Sequence, residues 1–504
     1  MYKSSVVHIG NIALGGKNPV RIQSMTTKNT MDTVATVKQV KELAIAGCDF
    51  VRITAQNIKE AENLKNIKKE LQKDGLNIPL IADVHYNPKV AEVAAQFVEK
   101  VRINPGNYID IEDNDSSINY QDDNYAIKRI TENIAPLLTI CKQHNTAIRI
   151  GTNHGSLSER ILFKYGNTPI GMVESILEFV KVCGQLDFHN LVLSLKASNV
   201  RIMIEANMLL VKRLSRLGLN YPLHLGVTEA GSEDEGRVKS AAGIGYLLAH
   251  GIGDTIRVSL TENPIEEIPV AIKLVEFFGQ KKDITKEITS EIVSFTKSKI
   301  KPPLVVTSKY SSLSDLSIER QYDSITKNDE HSKGSQKPNN GLFLIQKFKY
   351  PGIQYNDLII RATVEASAIL LKQKTNGIWI ENNGATSADK LAKLALNILQ
   401  VLGLRITKTE YIACPTCGRS MIDVIKQLEE VKKRTSHLPG IKIAVMGCAV
   451  NGLGEMADAH YGFVGSGKEK VNIYKGKNIV HKNVAQENAV ATLVSLIREH
   501  KDLN

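Results

Sequence analysis

The 504-residue sequence predicts an α/β protein: an N-terminal (β/α)8 TIM barrel, a partial α/β insert domain and a C-terminal α/β domain organised around cysteines. Three observations carry this. Eight short apolar runs alternate with helix-period segments through the first 270 residues, the rhythm of parallel strands wrapped by helices. That rhythm breaks between about 271 and 400. Beyond 401, three of the six cysteines gather. The expected domains are therefore 1–270, 271–400 and 401–504.

The strand candidates, in order, are Val20–Met25, Phe50–Thr54, Pro79–Val84, Lys100–Asn104, Ala147–Thr152, Leu191–Lys196, Pro222–Thr228 and Asp254–Leu260. Each leads into a helical stretch. Asn87-Pro88 sets a cap and a first-turn proline before VAEVAAQFVEKV.

Several of these strands carry one cation among apolar neighbours: Arg52 in VRI, Arg102 in VRI, Arg149 in IRI, Arg257 in IRV, and Lys196 closing LVLSLK. A parallel strand is covered on both faces, so an isolated guanidinium there is costly unless an anion meets it. Barrels gather their sites at the carboxyl ends of the strands, and arginine grips phosphate oxygens in pairs. Five cations in one mouth predict a site for a diphosphate; pairing with Asp83, Glu229 and Asp254 is the competing account. The loops Asn104–Asn107 and Gly151–Ser156 follow two of these strands and could bring backbone N–H groups to phosphate. Asp83 and His85 end the third strand and Glu229 the seventh. A carboxyl buried at a barrel mouth is a candidate proton donor, because burial raises its pKa.

From about 271 the chain changes character. Gln280–Ile300 is lysine-rich and reads as helical, and 308–340, with ITKNDEHSKGSQKPNN, has the composition of a mobile linker. Order resumes at Gly341–Lys347, Leu358–Ala362 and Gly377–Glu381, before the amphipathic helix Ala388–Leu402. One or two αβ units are too few for a second barrel, so a spacer or docking module is expected, with Trp379 in its core.

The segment TEYIACPTCGRS places Cys414 and Cys417 in a C-x-x-C turn after a strand; a helix, Met421–Lys432, follows, and IKIAVMGC ends a second strand at Cys448. Two parallel strands joined by a helix bring their carboxyl ends together, so the three thiols can meet. A four-thiolate site needs one more cysteine, and none follows Cys448. His437, His460, Glu455 or solvent could complete the set, with Gly452 and Gly454 letting the chain curl back at Glu455. Spacing alone admits either an iron–sulfur cluster with one oxygen-ligated iron or a structural zinc. Cys48, Cys141 and Cys183 lie singly in apolar segments and read as buried thiols.

Composition narrows the classes further. A net charge of +11 invites nucleic-acid binding, but the lysines are scattered along helices rather than gathered in an arm. There is no apolar run long enough to span a membrane and no signal-peptide core at the N-terminus, so a cytoplasmic protein is expected.

Seven motifs in order, QSMTT, RINPGN, RIGTNHGSL, PLHLGVTEAG, GIGDTIRVSLT, CPTCGR and MGCAVNGLGE, resemble those of the 4-hydroxy-3-methylbut-2-enyl diphosphate synthase family, across roughly 5–270 and 400–504. The resemblance implies a [4Fe–4S] cluster held by Cys414, Cys417, Cys448 and Glu455 in a C-terminal iron–sulfur domain. It implies diphosphate contacts from Arg52, Arg102, Arg149, Lys196, Arg257 and Ser259, polar substrate contacts from Asn153 and Asn451, and proton donation by Glu229. The implied activity is that of an oxidoreductase of the methylerythritol phosphate pathway of isoprenoid and terpenoid biosynthesis. It would open and dehydroxylate 2-C-methyl-D-erythritol 2,4-cyclodiphosphate, with ferredoxin or flavodoxin as electron donor. The chief rival is a redox-inert barrel lyase or synthase for a phosphorylated substrate, with zinc on the three cysteines. A zinc-bearing nucleic-acid-binding protein would leave the arginine-tipped strands unexplained.

The family has two forms. In the two-domain form the cluster domain closes over the barrel of its partner in a homodimer; in the three-domain form an insert lets one chain assemble its own site. The insert here, about 130 residues, looks shorter than that of the long form, and both arrangements stay open.

Overall fold

The computed structural model describes residues 2–108, 122–280, 283, 285–296, 303–318, 342–372 and 375–500. A hairpin of β1 (Val7–Ile9) and β2 (Ile12–Leu14) opens the chain. Its Val7, Ile9 and Leu14 pack on Phe50, Ile81, Ala147 and Val192, which begin their strands, so the hairpin plugs the barrel floor.

Eight parallel strands follow: β3 (Arg21–Met25), β4 (Phe50–Ala55), β5 (Leu80–Val84), β6 (Lys100–Ile103), β7 (Ala147–Asn153), β8 (Leu191–Lys196), β9 (His224–Leu225) and β10 (Thr255–Ile256). They run β8-β7-β6-β5-β4-β3-β10-β9, and the parallel bridge Leu193–Leu223 joins the two ends into a ring. All eight expected strands are present, although β9 and β10 keep only two residues each. Past the Arg257 N–H bond to Leu225 O the two strands diverge, supplying Thr228, Glu229 and Ser259 to the mouth, and meet again where the Thr261 N–H donates to Gly231 O. The helices start where polar caps say they should. Asp32, Asn57, Asn87, Thr168 and Asn199 each accept a first-turn N–H, worth about 1 kcal/mol apiece.

The insert holds a five-stranded sheet of β11 (Glu291–Thr296), β12 (Leu304–Thr307), β13 (Leu316–Ser317), β14 (Leu342–Lys349) and β15 (Gly377–Glu381), ordered β11-β14-β15-β12-β13. The expected helix over Gln280–Ile300 is not formed at Glu291–Thr296, which is an antiparallel edge strand on β14. Its run of β-branched and aromatic residues, EIVSFT, outweighs the lysine-rich flanks. Leu358–Ala362 is no separate segment but lies inside the helix Tyr355–Leu370. Of the linker expected at 308–340, the part up to Ile318 is ordered and includes β13, while 319–340 lies outside the described residues.

This insert is a buttress rather than a free spacer. Leu358, Ile359, Leu394 and Ile398 of its two helices join the same apolar core as the barrel helices. Val364 packs so closely on Gly245 that a Cβ there would stand 2.2 Å from it. Trp379 lies in a small core of its own with Leu304, Val306 and Ile345, with the Lys347 ammonium 3.6 Å from its ring centroid.

The last sheet contains β16 (Glu410–Ala413), β17 (Lys442–Met446), β18 (Tyr461–Gly467), β19 (Lys470–Lys475) and β20 (Asn478–Ala485) in sequential order, parallel through β18 and antiparallel after it. Leu428, Val431, Leu493 and Ile497 of its two helices fill one face. The helix expected from Met421 starts at Val424, because Asp423 caps the Lys426 N–H. Among the described residues no helix is long and apolar enough to cross a membrane.

Candidate active site

Parallel pairing sets the cations at one level. Asp83, Arg102 and Arg149 are register neighbours across β5, β6 and β7, and Arg52 sits on β4 beside them. These three arginines, with Lys196 at the end of β8 and Arg257 just after β10, line one cavity together with Asn153, Glu229 and Ser259.

Internal pairing accounts for part of this charge. Asp83 Oδ1 stands 3.4 Å from Arg102 Nη1 and 4.0 Å from Arg52 Nη1. With Arg419, whose Nη2 stands 3.0 Å from Oδ2, they draw its carboxyl well below the usual range despite burial, the largest opposing influence. Burial and the neighbouring guanidiniums pull Arg52 down to about 10, so it stays cationic at neutral pH. Arg257 pairs with Glu267, at 3.0 and 3.2 Å, a carboxylate the sequence reading did not name. Asp254, named as a partner, instead accepts from Ser4 Oγ and the Leu223 N–H.

Arg149 is different. It is 1% exposed, and among the described residues its Nε and Nη1 meet no partner. A buried unpaired guanidinium aimed into a cavity is the signature of an anion site. Lys196 is buried beside it, and burial followed by the charge of Arg149 holds its ammonium pKa well below the ordinary value.

The glycine loops serve this arrangement differently from expectation. A Cβ on Gly106 would stand 1.7 Å from Ser156 O, so the two loops lock against each other. One on Gly151 would stand 3.0 Å from Arg102 Nε. Their small size is used for packing around Arg102.

The opposite wall comes from the last domain. β16 and β17 are parallel neighbours, so Cys414, Cys417 and Cys448 emerge from adjacent carboxyl ends and line the same cavity as the cations. The Gly447 N–H donates to Cys414 Sγ at 3.2 Å, and burial pushes that thiol up to about 12. Cys48, Cys141 and Cys183 are buried elsewhere.

Of the four candidate completing ligands, Glu455 is the one brought here; His437 and His460 are exposed. Glu455 is 4% exposed and accepts from Thr228 Oγ1 at 3.0 Å, and among the described residues its Oε1 meets no hydrogen-bond partner. It adjoins Glu229, and burial raises both carboxyls, Glu455 further through the charge of Glu229. Two such neighbours cannot both ionise cheaply, so one keeps a proton. The side chain of Asn451 lies outside the described residues. No three His, Cys, Asp or Glu side chains among the described residues converge to hold a single metal ion.

Tyr86, Glu229 and Thr416, all at this cavity or its edge, hold φ of +64°, +49° and +58°, at roughly 1–2 kcal/mol each for non-glycine residues. Such strain persists where surrounding contacts dictate the conformation, and these contacts cross between domains of one chain. Arg419 Nη2 donates to Asp83 O at 2.9 Å and to Oδ2 at 3.0 Å; Thr261 Oγ1 donates to Ala413 O, and Tyr86 Oη to Val450 O. Gly155 and Gly454 meet backbone to backbone, where either Cβ would lie within 2.1 Å of the other residue. A single chain thus forms both walls. The sequence signal for Arg419 is an arginine two residues past a thiol pair, in CPTCGR.

Comparison with known proteins agrees in extent. Residues 4–272 match the GcpE TIM-barrel domain and residues 410–499 the GcpE protein C-terminal domain. A protein of Bacteroides thetaiotaomicron named 4-hydroxy-3-methylbut-2-en-1-yl diphosphate synthase (flavodoxin) is 40% identical over 599 aligned positions, covering 99% of this chain and 98% of its own. One of the same name from Akkermansia muciniphila is 40% identical over 563 positions, covering 98% and 96%. Both alignments exceed the 504 residues of this chain, so these relatives carry residues that it lacks.

Proposed function

The chain belongs to the GcpE family of 4-hydroxy-3-methylbut-2-enyl diphosphate synthases, and from that premise we propose how its two-walled cavity performs the reaction. It is a flavodoxin-dependent iron–sulfur oxidoreductase of isoprenoid precursor biosynthesis. 2-C-methyl-D-erythritol 2,4-cyclodiphosphate is opened and dehydroxylated to 4-hydroxy-3-methylbut-2-enyl diphosphate; two electrons and a proton enter and water leaves.

Cys414, Cys417, Cys448 and Glu455 would hold a [4Fe–4S] cluster. Three thiols and one oxygen donor at a common cavity match the four ligands such a cluster needs. When bound, the cluster supplies single electrons and one Lewis-acidic, oxygen-ligated iron.

The rest falls to the side chains. Arg149 and Lys196, which have no carboxylate partner among the described ion pairs, take the diphosphate charge, flanked by Arg52, Arg102 and Arg257. Ser259 and Asn153 add hydrogen bonds, and Asn451 is assigned a polar contact from its motif. Glu229, whose carboxyl burial raises, is placed to give its proton to the departing oxygen. Closed walls exclude water that would quench a reduced intermediate.

The observation that carries the proposal is the unpaired Arg149 guanidinium sharing a cavity with three thiols. Glu455→Ala, prepared without oxygen, should keep its iron, sulfide and brown absorbance while turnover falls roughly 10- to 100-fold. Undiminished turnover would remove Glu455 from the site. Zinc without iron in the parent protein would favour the redox-inert barrel.

A further inference from the structure

We infer that Asp83 and Arg419 are a positioning pair that registers the cysteine-bearing loop against the barrel, and that an incoming diphosphate tightens it. The inference rests on the diphosphate reading of the cavity.

Arg419 lies two residues beyond Cys417, in the last domain, while Asp83 ends β5 of the barrel. Both side chains are 4% exposed, and the described ion pairs give Arg419 no other carboxylate. Asp83 is overcommitted. Its Oδ2 serves Arg419 at 3.0 Å, while Oδ1 is shared by Arg102 at 3.4 Å and Arg52 at 4.0 Å, both longer than good charge-assisted bonds. His85, 3.6 Å away, is held neutral by burial and by Arg102, and so brings no charge. One buried carboxylate thus faces three guanidiniums.

Arg102 also donates to Gly151 O at 2.9 Å and lies against His85 Nε2; a diphosphate offers Arg52 and Arg102 several oxygens in place of the single carboxylate oxygen they share. Once they turn to it, Asp83 is left to Arg419 alone, and the contact between domains strengthens. The loop has little freedom to settle elsewhere: a Cβ on Gly418 would stand 2.6 Å from Lys28 O and 2.8 Å from Thr54 Oγ1. Anion binding on one wall is thereby coupled to order on the other, and the coupling must run both ways.

The test is hydrogen–deuterium exchange on the full-length, cluster-free chain, with inorganic pyrophosphate as the probe. In the parent, pyrophosphate should slow exchange in segments 410–420 and 447–455 by about fivefold. Asp83→Asn and Arg419→Gln should each exchange faster and lose that slowing, while pyrophosphate affinity shifts by no more than the same factor of about five, less than for Arg149→Gln; the double variant should be no worse than either. In the loaded enzyme each should lower kcat more than it raises KM. Arg419→Lys, which keeps the charge, should recover part of the slowing and serves if the glutamine variant fails to fold. Exchange unchanged from the parent would overturn the pair. So would a loss of pyrophosphate affinity matching that of Arg149→Gln, which would make Arg419 a substrate contact. The exchange and binding readouts do not require turnover, so the loop effect together with an anaerobic reconstitution that takes up no iron would sink the proposed reaction and leave the pair standing.

Discussion

Arg149 could be read from three residues. A guanidinium between isoleucines in a parallel strand needs an anion, and among the described residues no carboxylate answers it. Arg149→Gln should weaken pyrophosphate binding by about 1.5–3 kcal/mol, measurable by calorimetry, because a charge-assisted contact is lost. Lys196 adds a proton to the same equilibrium. Its folded pKa is depressed by burial and by the charge of Arg149, and a bound diphosphate pushes it back up. Binding should therefore take up as much as about one proton, and affinity should fall as pH rises. Calorimetry in buffers of different ionisation enthalpy checks this, and Lys196→Met should abolish the uptake. The partners were harder to read than the cations. Glu267 starts a helix, where carboxylates commonly face water, and Arg419 meets Asp83 from 336 residues away. Nothing local distinguishes either one.

Elements were legible wherever a short-range rule governs them. Apolar runs with caps behind them gave all eight barrel strands, and the parallel pair β16–β17 follows from two runs ending in cysteine. Edges were not. β11 owes its shape to backbone bonds with β14, a partner some fifty residues downstream that composition cannot register. The glycine loops could bring N–H groups to phosphate, and their small size also serves contact between loops and between domains, which nothing local in the sequence signals. Gly155→Ala tests this directly, since the new methyl would lie 2.1 Å from the Gly454 carbonyl carbon. The barrel should still bind pyrophosphate normally, while turnover falls on the order of 100-fold as the walls are misplaced.

At the scale of the whole molecule, the motifs identified two modules but left open whether they meet within a chain or between chains. Arg419 with Asp83, Thr261 with Ala413, and Gly155 with Gly454 bring them together within one chain. Mixing Arg149→Gln with Cys448→Ser, each inactive alone, should restore no turnover; a site shared across a two-fold dimer would regain about a quarter.

The distribution of apolar cores has a consequence for damage and repair. Barrel and insert share one core, whereas the cysteine-bearing domain keeps two small ones to itself. A unit with a private core can open without the rest. Oxidative loss of the metal should therefore loosen about the last hundred residues first, baring the thiols to a repair system while the barrel stays folded. Restoring such a protein means re-forming a small lobe on a standing scaffold, not folding the whole chain anew.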